Sequence, residues 1–336
     1  MRIAVDAMGG DHAPHEIVKG ALEAVGRFRD IQVLLAGHSR RMREFLPSPV
    51  PKAIKIVQCQ EVVEMGESPV EAIRRKKNSS LRRIFELTAA GEADAAISAG
   101  NTGATVAAAS MLLRPLEGCR RPGIAASFPS AKGHTVLIDV GANIAPKPSH
   151  LLQYGIMAQV YAREVLGIAQ PSVGILNVGT EEEKGTELVK AARRLLSEHV
   201  SGFVGNVEGR DIFNGSVDVI VCDGFVGNVI LKGTEGAASF LISRLLGYIR
   251  EVLPPSVNLS TENMRAFIAQ SDYTEYGGAP LLGIDKVAII SHGSSNAKAI
   301  ANAIRAARDF GAKHVNELIV EALGRVGEPA GKEDGQ

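Results

Sequence analysis

Asp94-Ala-Ala-Ile-Ser-Ala-Gly-Asn-Thr-Gly-Ala-Thr-Val-Ala-Ala-Ala-Ser-Met-Leu-Leu113 is the stretch whose reading decides the fold. Asp94 to Ser98 is short and apolar and predicts a buried strand. Ala99-Gly100-Asn101-Thr102-Gly103 is turn chemistry, and Ala104 to Leu113 predicts a helix. The same order recurs along the chain. The strand Ile3–Ala7 leads into Met8-Gly9-Gly10-Asp11-His12 and a helix from Pro14 to about Arg27, with Ile17, Ala21, Leu22 and Val25 on one face. Strands follow at Ile31–Ala36 and Ile54–Val57. Ile124–Phe128 and Val136–Val140 predict a hairpin. Further strands fall at Ser172–Val178, Phe203–Val207, Val217–Cys222 and Val287–Ser291, and helices at Ser149–Leu166, Thr186–Leu196, Phe225–Leu253, Ser294–Arg308 and Lys313–Leu323.

Strands alternating with helices predict a mostly parallel sheet covered on both faces, a three-layer α/β/α Rossmann-like sandwich. We expect residues 1–326 to form one large α/β domain, with an inserted helical hairpin at about 239–278 and a flexible tail at 327–336.

Composition narrows the function. Lys+Arg 37 balances Asp+Glu 37, so the broad positive field of a nucleic-acid binder is missing, and 4% aromatic residues leave little for base stacking. Cys59, Cys119 and Cys222 form no CxxC pair, which argues against a disulfide framework or a zinc site and for a reducing, cytoplasmic setting. Met1 runs directly into a strand, so no signal peptide is expected. The longest charge-free stretch, Ala95 to Leu113, contains Ser98, Gly100, Asn101, Gly103 and Ser110. It is too polar to span a bilayer. Any membrane contact is expected to be peripheral.

Seven strand ends carry Gly with Asn, Asp or His: 6–11, 98–103, 139–143, 177–180, 205–209, 223–228 and 292–295. In an open parallel sheet the carboxyl edge is where ligands bind, so these turns are expected to converge there. The loop Ser98, Gly100, Asn101, Thr102, Gly103 is the best phosphate cradle, since it opens a helix and offers hydroxyls and main-chain N–H groups. It matches neither the Walker A loop nor the dinucleotide GxGxxG fingerprint. Asn101, Asn143, Asn177, Asn206 and Asn228 are neutral donors suited to a developing oxyanion. Lys184 reads as a cation that orients phosphate or polarises a carbonyl, or as a solvated surface lysine. His12 and His292 are candidate protic groups or ordinary loop histidines. Cys222 is either a thioester nucleophile or, after Val219, Ile220 and Val221, a buried strand residue. Asp6, Asp11, Asp139 and Asp223 could hold a divalent ion together or fix loops by accepting main-chain N–H bonds.

Asp6–Asp11 with Gly9 and Gly10, Ser98–Gly103, Asp139–Asn143, Gly205–Gly209, Asp223–Asn228 with Gly224, Tyr276–Gly283 and His292–Ser294 occur in an order that resembles the bacterial phosphate acyltransferase PlsX family, from Met1 to roughly Leu323. The resemblance implies formation of acyl phosphate from an acyl-acyl carrier protein and inorganic phosphate. That product would supply a membrane glycerol-3-phosphate acyltransferase in phospholipid synthesis. A homodimer is also implied, with a fold related to phosphotransacetylases and isopropylmalate-type dehydrogenases, no metal or organic cofactor, and peripheral contact with the inner face of the cell membrane. On this reading Ser98, Gly100, Asn101, Thr102 and Gly103 cradle phosphate. Lys184, Asn228 and His292 are the catalytic candidates, and Asp6, Gly9, Gly10, Asp11, Asp139, Asn143, Asn177, Asn206, Asp223 and Gly224 shape the pocket.

Two surfaces bear on partners. Arg74, Arg75, Lys76, Lys77, Arg82 and Arg83 are either a dock for an acidic carrier protein or a solvated helix face. Leu241, Leu245, Leu246, Ile249 and Leu253, with Arg244 and Arg250 elsewhere on the helix, form an apolar stripe for core or dimer contact, or for a lipid-facing or acyl-groove surface at the dimer tip. Rival readings are a CoA-dependent phosphate acetyltransferase, an NAD-dependent decarboxylating dehydrogenase and a non-catalytic, lipid-responsive membrane-surface protein.

Overall fold

The computed structural model describes residues 1–252 and 277–326. In chain order the elements are β1 (Arg2–Asp6), α1 (His15–Arg27), β2 (Gln32–Gly37), α2 (Ser39–Arg43), β3 (Ile54–Gln58), α3 (Pro69–Arg75), α4 (Ser80–Ala89), β4 (Ala95–Ser98) and α5 (Thr102–Leu112). There follow β5 (Gly123–Ser130), β6 (Gly133–Ile138), α6 (Pro148–Glu164), β7 (Val173–Leu176), α7 (Glu187–His199), β8 (Phe203–Val207), α8 (Asp211–Asn214), β9 (Val219–Val221) and α9 (Gly224–Val252). β10 (Ala279–Leu282), β11 (Val287–Ile290), α10 (Ala297–Ala312) and α11 (Val315–Val326) complete the described chain. Residues 253–276, most of the expected helical hairpin, and 327–336, the expected tail, lie outside it.

The strands form one 11-stranded sheet in the order β3-β2-β1-β4-β11-β10-β5-β6-β9-β7-β8. Alternation sorts its residues between two cores. Ile3, Val5, Leu35, Ile97 and Ile289 face α1, α6, α7, α10 and α11. Ala4, Leu34, Ala96, Ile124, Ala288 and Ile290 face α3, α4, α5, α8 and the root of α9. Both faces are covered, as an all-apolar parallel strand requires.

One expectation needs correcting. β11 pairs parallel with β4, but β10 runs antiparallel to both β11 and β5, and the hairpin of β5 with β6 reverses the direction again. β9, β7 and β8 then follow β6. The carboxyl ends of β1, β4 and β11 therefore lie on one edge, and those of β6, β9, β7 and β8 on the opposite edge. The seven turns do not share an edge: 6–11, 98–103 and 292–295 gather on the first, the other four on the second. The switch sits at β10, a strand the pattern along the chain did not single out.

Candidate active site

Helix α9 joins the two edges. It is rooted at the second, where the Gly224 N–H donates to Asn143 O at 2.8 Å, and a Cβ on Gly227 would overlap the Asp139 carbonyl oxygen. It then crosses the sheet face until Lys232 and Glu235 meet His292 at the first edge. Beneath it lies a cavity of 630 Å³. Ile124, Ala126 and Phe128 of β5, Ala279 of β10 and Ile290 of β11 line one side. Asn228, Leu231, Lys232, Glu235, Ala238 and Ile242 line the other, spaced at three and four as one helical face must be. Thr102, at the start of α5, closes one flank. Phe213 of α8, edge-on to Phe128 with ring centroids 6.1 Å apart, closes the other.

The polar end of this largely apolar space is a connected cluster. His292 Nδ1 is 2.7 Å from Ser294 Oγ and accepts the Ser294 N–H at 3.2 Å. With Nδ1 accepting, the ring proton sits on Nε2, 3.3 Å from Glu235 Oε2. Lys232 Nζ lies 3.0 Å from the same carboxylate oxygen and 3.2 Å from His292 Nε2. Burial works against ionisation of Glu235, but hydrogen bonds and charge from His292 and Lys232 outweigh it and hold the carboxyl below its usual value. Asn228 also lines the cavity and is exposed, and among the described residues nothing hydrogen-bonds its amide.

The three first-edge turns lock together around the cradle. Asp6, 3% exposed, accepts from Ser98 Oγ at 2.9 Å and Met8 N at 3.1 Å, and Ser98 Oγ in turn accepts the Gly100 N–H. Burial pushes the Asp6 carboxyl up. Gly9 has no room for a Cβ, which would lie 2.6 Å from Asp6 Oδ2 and 2.8 Å from Gly100 N. The Asp11 N–H donates to Gly293 O at 2.8 Å, which ties this turn to His292, and Gly10 bends there at φ +106°. Asn101 is committed as the cap of α5: its Oδ1 accepts Ala104 N, and its Nδ2 donates to Met65 O. Pro69 packs against Gly103. Of the expected cradle, Thr102 lines the cavity, while Ser98 and Asn101 spend their side chains holding the turn. His12 is exposed, and its carbonyl accepts from Glu16 N.

On the second edge, Asp139 is fully buried and accepts four main-chain N–H bonds, from Ile124, Gly141, Ala142 and Asn143. Burial pushes its carboxyl up, and those donors pull against it. Asn143 donates to Pro122 O and to Tyr154 OH, and Asp223 accepts from Val226 N in the first turn of α9. These carboxylates fix loops. Cys222 is 5% exposed, and burial drives its thiol well above its ordinary range, which suits a packed residue and not a thiolate. Lys184, Asn177 and Asn206 form a separate cluster past β7 and β8. Lys184 Nζ pairs with Glu181 Oε1 at 2.8 Å, Asn177 Nδ2 donates to Lys184 O, and Asn206 Nδ2 donates to Glu181 O. None of the three lines the cavity of its own chain.

Sequence reasoning missed Lys232, Glu235 and the wall formed by β5 and Phe213, and it marked the turn that holds Ser294 without giving that residue a role. A signal was present: Asn228, Lys232 and Glu235 fall at i, i+4 and i+7, one polar stripe along the first three turns of the helix. The basic residues of α3 and α4 are largely paired, Arg75 with Glu71, Lys76 with Glu67, and Arg82 and Arg83 with Glu86. On α9, Leu241 and Leu245 are exposed, and Leu246 and Ile249 half-buried; the Arg250 side chain and Leu253 lie outside the described part. Among the described residues no group of three or more His, Cys, Asp or Glu could hold a metal ion, and no helix is long and apolar enough to cross a membrane.

Residues 1–318 match the model of a family described as "Fatty acid synthesis protein". A phosphate acyltransferase from Desulfitobacterium hafniense (strain DSM 10664 / DCB-2) is 51% identical over 315 residues, 92% of this chain and 93% of that protein. One from Halothermothrix orenii is 47% identical over 334 residues, 98% of this chain and 100% of its own. Among solved structures, a phosphotransacetylase from Streptococcus pyogenes superposes with a TM-score of 0.55 at 15% identity, covering 97% of this chain and 94% of that one. A branched-chain phosphotransacylase from Enterococcus faecalis V583 superposes equally well, with 92% and 98% covered. At such identity these two establish a shared fold and nothing finer.

Proposed function

The chain belongs to the fatty acid synthesis protein family of phosphate acyltransferases, and from that premise we propose that it transfers a long-chain acyl group from acyl carrier protein to inorganic phosphate. The observation that carries the reading is the two-ended cavity: an apolar trough between the sheet and α9 that terminates in His292, Ser294, Lys232 and Glu235, with Thr102 on its flank. A fatty acyl chain fits the trough, and its thioester carbonyl then lies at the polar end.

Phosphate supplies the attacking oxygen itself, so no enzyme nucleophile is needed. The Thr102 and Gly103 N–H groups, ahead of the Ala104 N–H that Asn101 caps, and the Thr102 hydroxyl receive the anion, with the Lys232 ammonium beside it. Asn228, with its amide unengaged, donates to the carbonyl oxygen as charge develops there; one such donor is worth about 10²–10³ in rate. Holding phosphate against the carbonyl contributes about 7–11 kcal/mol through orientation. Ser98, Gly100, Asn101 and Gly103 act by shaping the turn that carries Thr102, and the second-edge residues by rooting α9.

In the homodimer this reading includes, Lys184 serves the cavity of the second copy, because in its own chain it pairs with Glu181 and lies outside the cavity lining. The acyl phosphate would pass to a membrane glycerol-3-phosphate acyltransferase, with the exposed apolar face of α9 toward dimer or lipid. The test is phosphate-dependent thiol release from long-chain acyl carrier protein. Asn228→Ala should lower it about 10²-fold or more; thiol release independent of phosphate, or an unchanged Asn228→Ala rate, would refute the proposal.

A further inference from the structure

We propose that Ser294, His292 and Glu235 form a proton relay that carries the phosphate proton to the departing thiolate, with Ser294 as the group that meets the substrate. This deepens the acyltransferase reading and rests on it. The chemistry demands a carrier: a thioester and hydrogen phosphate give acyl phosphate and a free thiol, so one proton must travel from phosphate oxygen to sulfur within the site.

The geometry suits that task. Ser294 Oγ is exposed at the cavity and 2.7 Å from His292 Nδ1, while Nε2 faces Glu235, whose side chain is 16% exposed. The carboxylate fixes the tautomer in which Nδ1 is the acceptor facing Ser294, and it stabilises the imidazolium formed. Both ring nitrogens are engaged, so the hydroxyl, and not the ring, reaches outward. As the phosphate oxygen bonds to the carbonyl carbon, its proton passes to Oγ while the Oγ proton passes to Nδ1. When the oxyanion collapses and the carbon–sulfur bond breaks, sulfur keeps the electron pair. Nδ1 then returns its proton to Oγ, and Oγ protonates the sulfur. Nothing is oxidised or reduced, and the serine ends as it began. The ammonium of Lys232 keeps Glu235 ionised from the other side.

The test compares two acyl donors on the full-length protein: a long-chain thioester of an alkyl thiol, whose leaving group needs a proton, and the matching thiophenyl ester, whose leaving group does not. Ser294→Ala and Glu235→Gln should each lower kcat on the alkyl thioester by about 10²-fold or more, the usual contribution of general acid–base transfer, with KM little changed. Both should lose at least about tenfold less on the thiophenyl ester, where only the transfer from phosphate remains to be served, and Ser294→Thr should restore the alkyl rate. Equal loss on both donors would make the cluster merely structural and overturn the relay. An acyl group found by mass spectrometry on Ser294 without phosphate would overturn it differently, by making the serine a nucleophile. Wild-type protein showing no phosphate-dependent turnover of either ester would instead refute the acyltransferase reading itself.

Discussion

Asp139→Ala removes the acceptor of four main-chain N–H groups in one step. Oδ1 takes Ile124, Gly141 and Ala142 at 3.0, 3.1 and 2.9 Å, and Oδ2 takes Asn143 at 2.7 Å. The Ile124 bond is buried, and the other three are partly accessible, so water can replace part of what they lose. An orphaned buried donor costs ~1–3 kcal/mol; taking the low end for the three accessible groups gives about 4–6 kcal/mol. Burial also penalises the Asp139 charge, and relief of that penalty brings the expected net loss to about 3–5 kcal/mol. Such a loss is a large share of the ~5–15 kcal/mol that holds an ordinary domain together. Asp139→Asn keeps one carbonyl oxygen for three donors and sets its amide against the fourth, so it should lose about 1–3 kcal/mol. Urea unfolding followed by far-ultraviolet circular dichroism would read both, with matching m-values required. Because the same loop roots α9, turnover should fall in the same order. An Asp139→Ala protein within about 1 kcal/mol of wild type would show that the loop does not depend on this carboxylate.

Glycines of α9 should respond in opposite directions. Gly227→Ala drives a methyl into the Asp139 carbonyl and should destabilise by several kcal/mol, whereas Gly233→Ala meets nothing within 4 Å and should stabilise by about 0.5–1 kcal/mol, both read by thermal melting. The folded Glu235 carboxyl sits below its ordinary value, so its contribution is present above the unfolded value near ~4.3 and disappears as pH falls through the folded one. Glu235→Gln should thus be less stable than wild type at pH 7 and converge with it once the pH has fallen below the lowered value of the folded carboxyl; a gap that widens on acidification would contradict this. Mixing inactive Lys184→Ala with inactive Asn228→Ala chains should restore roughly a quarter of wild-type turnover, since half the dimers then hold one intact site. No recovery after mixing and refolding would place both residues in one chain's site.

Much of the fold was legible because it is written in short-range terms. A buried strand is a run such as Ala95–Ser98, and a helix start is a residue such as Asn101 or Thr186 whose side chain caps the third residue on. The brief helices Ser39–Arg43 and Asp211–Asn214 escaped notice because one turn carries too few apolar positions to show a period. β10 escaped because Gly277 and Gly278, both at positive φ, made its entrance look like loop alone. For the site, turn chemistry marked the right positions but not their grouping. Asp6 and Ser98 stand on adjacent strands and do bond each other; Asn177 and Lys184, equally conspicuous, bond only within their own corner.

Alternating apolar strands and amphipathic helices, balanced charge and glycine-bearing strand ends determined by themselves that this is an α/β sandwich with polar turns at its sheet edges. These follow from the local matching of hydrophobic period to backbone geometry, which each segment satisfies alone. Which turns meet was decided only by the tertiary structure. Strand direction depends on partners far along the chain, and the three antiparallel pairings from β11 through β10 and β5 to β6 sent four of the seven turns to the opposite edge. Only the length and slant of α9 carried Lys232 and Glu235 from its root near Asn228 across to His292.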